Sequence, residues 1–213
     1  MKDDPRVQRT KRTLRRALLD LMRTVRAEDV TVKLLLDEAQ MSKKAFYAHY
    51  HDLYELMCDT FISEDRYFSQ RYKRVGEYEG ARDVCVTLLE QLASYLEFCK
   101  QNAQLALVVV SGCGSNPLFA PYYEMTLELL ESYTADEHPC PVVPFVQAKE
   151  CAAYVHAGMA SLTRQWLLEG AVEPVETVAK RLALLNLHTL GAASGSPIRR
   201  EYLQAIVDWR CGA

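Results

Sequence analysis

Two adjacent lysines, Lys43 and Lys44, begin a short stretch of residues suited to binding phosphate. They directly follow Ser42, a preferred helix N-cap residue, so they are predicted to lie in the first turn of a helix. Free backbone N–H groups and the helix dipole attract anions at that position, in addition to the two ammonium groups. Tyr47 and His49 follow, and their side chains can donate to phosphate oxygens or reach base edges. The sequence therefore indicates phosphate binding by this segment.

Three predicted helices position these residues. An apolar stripe with helical spacing predicts a first amphipathic helix over residues 6–25, with arginines on its opposite face. Thr31 is a predicted N-cap for a second helix over residues 32–39, and the third helix covers residues 43–50. The residues expected to form the small core between them are Val32, Leu35, Ala39 and Phe46. Two short helices joined by a tight turn, and held by an earlier helix, form the arrangement that presents a recognition helix to the DNA major groove.

Elements spread over about fifty residues also follow a known family pattern. They are Thr10–Leu14, Ala17–Leu18, Val30–Val32, Ala39, Met41–Ser42, Ala45–Tyr50 and Asp52–Leu56. In these elements the chain resembles the N-terminal domain of the TetR family of bacterial transcriptional regulators. Three residues depart from the family pattern: Gln40 replaces a glycine in the turn, Leu36 a small residue, and Leu53 a lysine. We expect Gln40 to need a left-handed backbone conformation, and Leu53 removes one expected phosphate contact.

The resemblance implies an all-α protein with two domains. A helix-turn-helix DNA-binding domain would cover residues 1–50, and a larger helical domain for effector binding and dimerisation would cover residues 51–213. The implied function is that of a homodimeric regulator, a repressor that binds a palindromic DNA site and is released by a small molecule. The candidate DNA-contacting residues are Thr31, Lys33, Ser42, Lys43, Lys44, Ala45, Tyr47, His49 and Tyr50.

The rest of the chain is also predicted to be helical. Apolar periodicity and turn residues predict helices over residues 52–75, 84–99, 118–133, 145–169, 175–190 and 198–210, with a kinked region near 105–115 and a proline-containing loop over 134–144. The helices over 145–169 and 175–190 are the expected dimer contacts, since small residues permit close packing; these are Ala152, Ala153, Ala157, Gly158 and Ala160. The candidate effector-binding residues are Tyr95, Cys99, Tyr123, Tyr154 and His156.

Charge is distributed unevenly along the chain. The net charge is −3, but residues 1–60 carry 12 Lys and Arg against 10 Asp and Glu, and the remainder carries 13 against 18. Seven basic residues lie within the first sixteen positions. We therefore expect a basic DNA-binding part attached to an acidic part that stays off the DNA.

Several classes of protein lack support in the sequence. Motifs of hydrolases, phosphate-binding loops and zinc proteases are absent, so we expect no enzyme activity and no cofactor. The longest apolar run, residues 105–110, is too short to span a membrane, and no signal peptide is evident, so we expect a cytoplasmic protein without a membrane partner. His138 and Cys140 are metal-ligand types without a third ligand nearby, so we interpret them as loop residues and expect no metal.

Two alternatives remain open. A helical interaction or scaffold protein with a degenerate helix-turn-helix would explain Gln40, Leu53 and the acidic total charge. A thiol-based redox sensor would use one of the seven cysteines, of which Cys113, between two glycines, is the least ordinary.

Overall fold

The computed structural model describes residues 4–69, 81–111, 148–193 and 200–210. Within these ranges the chain forms α1 (Pro5–Leu21), a 3-10 turn (Ala27–Asp29), α2 (Val32–Ala39), α3 (Lys43–Tyr47), α4 (Leu53–Ser69), α5 (Ala81–Gln101), α6 (Ala103–Ser111), α7 (Ala148–Leu168), α8 (Val175–Ala193) and α9 (Arg200–Asp208). The predicted all-α class is confirmed. None of these helices is both long and apolar enough to span a membrane. The helix and loop predicted over 118–144 lie outside the described residues.

We call residues 5–50 the head and the described residues from Leu53 onward the body. The head is built on an apolar core between α1, α2 and α3 whose fully buried members are Leu14, Leu18, Leu35 and Phe46. Pro5 occupies the first turn of α1, and the Asp4 side chain accepts from the Arg6 N–H at 2.8 Å. The predicted stripe of α1 is therefore the buried face of that helix.

Two helices of the head are shorter than predicted. α1 ends at Leu21 rather than at residue 25, because the N–H groups of Thr24 and Val25 both donate to the Leu21 carbonyl and close a turn. Val25 still packs against the core from outside the helix, which explains its place in the apolar pattern. α3 ends at Tyr47 rather than at residue 50, because the His49 N–H donates to the Phe46 carbonyl and tightens the last turn.

The body is organised around α5, which packs against α4, α6, α7, α8 and α9. The kink predicted near residues 105–115 is wrong for its described part, because residues 105–111 lie within the continuous helix α6. The chain breaks earlier, between α5 and α6 at Asn102, whose side-chain amide donates to the Phe98 carbonyl at 3.0 Å. At the end of α9, Trp209 Nε1 donates to Glu90 at 2.8 Å, and Arg210 bonds to Glu90 and Glu176. These bonds hold the C-terminal helix against α5 and α8.

Candidate DNA-binding site

The outward face of α3 carries basic side chains with no acidic partner. Lys43 and Lys44 are exposed, and Tyr47 exposes 57% of its surface. Within the part of the chain that the structure describes, neither lysine forms an ion pair. Two uncompensated ammonium groups and a phenol on one short helix form a surface suited to phosphate oxygens.

The inward face of α3 is anchored by Phe46, which is completely buried. Its ring meets the Tyr47 ring edge-on with centroids 5.1 Å apart and lies 5.9 Å from the Tyr50 ring. Such aromatic contacts add to the energy of burial and restrict the rotation of α3 about its axis. The anchoring of Phe46 therefore decides that Lys43, Lys44 and Tyr47 point outward.

Two of the candidate DNA-contacting residues cap helices. The Thr31 hydroxyl oxygen accepts from the Leu34 N–H, and the Ser42 hydroxyl oxygen accepts from the Ala45 N–H, each at 3.2 Å. Both N-caps were predicted and are confirmed. Both residues are exposed, so each hydroxyl hydrogen remains able to donate to an external acceptor. Lys33 is also exposed, and Ala45 and His49 are half-buried.

Tyr50 occupies a different environment from the other candidates. It is only 3% exposed, and its hydroxyl donates to Asp59 of α4 at 2.5 Å. Asp59 also accepts from Arg15 of α1 at 2.8 Å, and the Lys11 ammonium lies 5.6 Å from the centre of the Tyr50 ring. Burial first, and then the Asp59 carboxylate, raise the pKa of Tyr50. We therefore remove Tyr50 from the DNA-contacting candidates and assign it to holding the end of α3 against α4.

The turn between α2 and α3 keeps its geometry without glycine. Gln40 has φ 51° and ψ 46°, which confirms the predicted left-handed conformation. The Met41 N–H donates to the Leu36 carbonyl at 3.0 Å and the Gln40 N–H to the Asp37 carbonyl at 3.4 Å, which together form a Schellman motif. The turn therefore joins α2 to α3 through a Schellman motif, although Gln40 stands where glycine is the common residue.

Asp52 and Glu55 form reciprocal capping bonds at the start of α4. The Glu55 N–H donates to Asp52 at 2.8 Å, and the Glu55 carboxylate accepts from the His51 N–H at 2.6 Å. The hydrogen bond from the Glu55 backbone lowers the pKa of Asp52. Leu53, in the family's lysine position, is half-buried and packs against the core. Leu53 thus adds apolar packing where the resemblance predicted a phosphate contact.

The basic residues of α1 divide into two groups. Arg15 is held by Asp59, and Arg12 and Arg16 line a cleft of about 380 Å³ together with Asp20 and Glu38. Those carboxylates would repel phosphate, so we leave the cleft out of the candidate site. Arg6 and Arg9 are exposed and form no ion pair among the described residues. They are the α1 residues that remain available for phosphate.

Asp59 is a positioning residue that the sequence did not reveal. It joins α4, α1 and the end of α3, yet its partners Arg15 and Tyr50 lie 44 and 9 residues away in the sequence. A single aspartate within an amphipathic helix carries no local signal of such a role. The rule that a carboxylate on a partly buried helix needs a cation could have led to Arg15.

The candidate effector-binding residues separate in the structure. Tyr95, Cys99 and His156 are buried, while Tyr123 lies outside the described residues. Tyr154 exposes 71% of its surface, so it does not line an interior cavity of this chain. The reason is helical geometry, because residues two apart on α7 point to nearly opposite sides and His156 takes the inner one.

The interior of the body contains polar groups next to the apolar core. Burial lowers the pKa of His156 to about 4, so this imidazole is neutral at physiological pH. Thr163, two turns further along the same side of α7, is completely buried, and its hydroxyl has no hydrogen-bond partner among the residues that the structure describes. The inner face of α7 therefore carries two buried polar groups, His156 and Thr163.

The described cysteines are unsuited to fast oxidation. Cys58, Cys85 and Cys99 form no disulfide within the described ranges and are completely buried, and burial raises the pKa of Cys85 to about 11. A buried thiol with a raised pKa is a poor nucleophile. Cys113, His138 and Cys140 lie outside the described residues. Within those residues no cluster of three or more His, Cys, Asp or Glu side chains could hold a metal ion.

The outer faces of α7 and α8 expose apolar side chains. The large ones are Tyr154, Leu168, Leu184 and Leu185. Of the small residues expected to permit close helix packing, Ala153, Ala157 and Gly158 are exposed, whereas Ala160 is buried within its own chain. The side chain of Ala152 is not among those described. Exposed apolar groups with small residues beside them form a surface that another helix pair could cover.

Comparison with known proteins finds similarity at the level of fold. No protein-family model matches the chain, and no curated protein matches it. Among solved structures, the chain is similar to that of FadR from Bacillus halodurans, described as a fatty acid degradation regulator. The TM-score is 0.58 at 10% sequence identity, and the match covers 87% of this chain and 96% of that chain. The protein therefore has the all-helical fold of that regulator along most of its length.

Proposed function

We propose that this protein is a ligand-responsive transcriptional regulator of the TetR type, and that it binds DNA through the head. The observation that carries the proposal is the outward face of α3, where Lys43 and Lys44 are exposed and unpaired while Phe46 anchors the inner face. The proposed DNA contacts are Thr31, Lys33, Ser42, Lys43, Lys44, Ala45, Tyr47 and His49. The FadR similarity supports a regulator rather than an enzyme.

The proposal assigns residues 1–50 to DNA binding and residues 51–213 to effector binding and dimerisation. Two copies would meet through the exposed apolar faces of α7 and α8 and present two recognition helices to a palindromic site. We propose that the protein is a cytoplasmic repressor, and that a small molecule entering the body near Tyr95, Cys99, His156 and Thr163 releases it from DNA. The buried neutral imidazole and the unpartnered hydroxyl favour a largely apolar molecule with at least one hydrogen-bonding group.

Selection of random duplex DNA by the full-length protein tests the proposal. We expect enrichment of a palindrome, and affinity for it should fall linearly with salt on logarithmic axes because phosphate contacts release counterions. Replacing Lys43 and Lys44 with Ala removes four lysines from the DNA-bound dimer, so the magnitude of that slope should fall by about 3.6 if each lysine contacts one phosphate. Arg82, an exposed cation on α5 of the body, supplies the matched control, since Arg82→Ala should leave the slope unchanged.

The opposite outcome is equally informative. If the folded protein enriches no palindrome, the regulator proposal is wrong and the scaffold alternative gains support. If a palindrome is enriched but the double lysine variant keeps the wild-type slope, the protein binds DNA through a surface other than α3.

A further inference from the structure

The side chain of Gln104, in the first turn of α6, hydrogen bonds to two backbone groups of the head. Its Oε1 accepts from the Ala27 N–H at 2.6 Å, and its Nε2 donates to the Met22 carbonyl at 3.2 Å. Met22 caps the end of α1 and Ala27 begins the 3-10 turn, so neither group has a partner within its own element. One amide from the body therefore closes the connection between α1 and α2.

The helix that carries Gln104 also reaches α7. α6 has nine residues and is about 14 Å long. At its last residue, the Ser111 hydroxyl accepts from Arg164 of α7 at 3.0 Å, and between the two ends Leu105 and Ala106 are completely buried. α6 also packs along α4 and α7. A short helix enclosed in a close-packed core moves as a unit, so a shift at the Ser111 end is transmitted to Gln104.

We propose that Gln104 is a positioning residue that sets the orientation of the head relative to the body, and with it the distance between two heads on a palindrome. The inference rests on the proposed function. Asp59 also joins the body to the head, through Arg15 and Tyr50, but it does so from α4, the helix that directly follows the head in the chain. Gln104 contacts the head from 77 and 82 residues away in the sequence. It belongs to α6, which packs against α7, the helix that carries His156 and Thr163.

The test compares Gln104→Met with the wild type and with Gln101→Met. Methionine keeps the length of the side chain and removes both hydrogen bonds, and Gln101 is an exposed glutamine three residues earlier at the end of α5. For each protein, we would measure the exchange rate of the Ala27 amide, the unfolding transition, and affinity for the selected palindrome with its half-sites moved by one or two base pairs in either direction.

In Gln104→Met we expect the Ala27 amide to exchange about tenfold faster, because its acceptor is gone. Affinity at the preferred half-site spacing should fall by about tenfold, while affinity at the altered spacings falls much less. The ratio of affinities between the preferred and the altered spacings should therefore decrease. The salt slope should stay the same, since the phosphate contacts remain. A purely structural role would weaken binding equally at every spacing. Gln101→Met should resemble the wild type in all three measurements.

Each remaining outcome decides one question. If the wild type enriches no palindrome, the proposed function fails. If the wild type does so and Gln104→Met keeps its spacing preference, the inference about Gln104 is wrong and the proposed function stands. If the methionine variant does not fold, Gln104→Glu takes its place, because it retains the acceptor for Ala27 and sets a carboxylate against the Met22 carbonyl. A folded Gln104→Glu with an unchanged spacing preference would likewise overturn the inference.

Discussion

The head and the body differ in whether polar side chains are buried in their interiors. The buried polar residues of the described chain are Thr60, His156, Thr163 and Asn186, and all of them belong to the body. The buried residues of the head are apolar apart from the Tyr50 hydroxyl, which bonds to Asp59. The head instead exposes the proposed DNA-contacting residues Lys43 and Lys44, which form no ion pair within the described part of the chain.

This difference agrees with the ligands proposed for the two parts, DNA for the head and a small molecule for the body. A charged polymer such as DNA binds to exposed cations on a protein surface. The apolar core of such a domain only has to position the helices that carry these cations. A small molecule is bound in an interior, where a few buried polar groups can form hydrogen bonds to it.

Removal of the head's anchor should have the largest effect. Phe46→Ala should lower the free energy of unfolding by about 3 to 5 kcal/mol, because it empties a completely buried site. Urea unfolding and amide exchange in α2 and α3 would measure this loss, and DNA binding should vanish with it. Tyr47→Ala, on the exposed side of the same helix, is the control. It should change stability by less than about 0.5 kcal/mol while weakening DNA binding. Equal destabilisation by both variants would contradict the assigned faces of α3.

The buried histidine of the body predicts sensitivity to acid. His156 has its folded-state pKa lowered to about 4 from the ordinary 6.5, so the unfolded chain takes up a proton in this interval and the folded chain does not. Its contribution is therefore constant above pH 6.5, and stability falls as the pH drops from 6.5 toward 4. The loss should reach roughly 2 kcal/mol at about pH 5.

Urea unfolding at about pH 7.5 and about pH 5 checks this expectation. His156→Gln should lose less stability between the two conditions than the wild type, by about that amount. His188→Gln, at an exposed position on α8, controls for the removal of a histidine. Parallel pH dependence of the wild type and His156→Gln would show that His156 is not buried in neutral form.

The sequence predicted features whose causes are local. Thr31 and Ser42 cap helices because each side chain reaches an N–H three residues away, and the left-handed Gln40 follows from the turn it must make. The end of α1 was missed because Val25 is packed by the core without being in the helix, and an apolar pattern reports burial rather than hydrogen bonding.

Features that depend on distant partners were not predictable in this way. Tyr50 became a candidate for DNA because of its position after α3, but Asp59 and Arg15 draw it into the core. Gln104 has no sequence signal at all, since its partners are backbone groups some eighty residues away. Tyr154 could have been excluded from the sequence alone once His156 was a candidate, because residues two apart on one helix cannot both face the protein interior.

Two buried threonines of the body allow a smaller and sharper comparison. Thr163→Val should raise the free energy of unfolding by about 1 kcal/mol, because it removes a buried hydroxyl that has no partner and keeps the shape of the side chain. Thr60→Val should lower it by a similar amount, since the Thr60 hydroxyl donates to the Leu56 carbonyl at 2.7 Å. Both residues are completely buried, so burial is matched. Loss of stability in both variants would mean that Thr163 has a hydrogen-bond partner.

The smallest expected effect compares one helix end in the head with one in the body. α2 and α7 both finish in a Schellman motif, with Gln40 at φ 51° in the first and Gly170 at φ 83° in the second. Gln40→Gly should raise the free energy of unfolding by about 0.5 to 1 kcal/mol, because glycine adopts this conformation without strain, although it is more flexible in the unfolded chain.

Gly170→Ala should have the opposite sign and cost about 1 kcal/mol. A Cβ at Gly170 would meet only Val172 Cγ2 at 3.7 Å, an ordinary contact, so the cost would come from the backbone alone. Thermal unfolding of the two variants measures both changes. If Gln40→Gly weakens DNA binding at unchanged stability, the glutamine side chain itself contributes to the DNA-binding surface. If Gln40→Gly stabilises the protein and leaves DNA binding intact, the left-handed backbone at Gln40 is strained, and the apolar core of the head compensates for that strain.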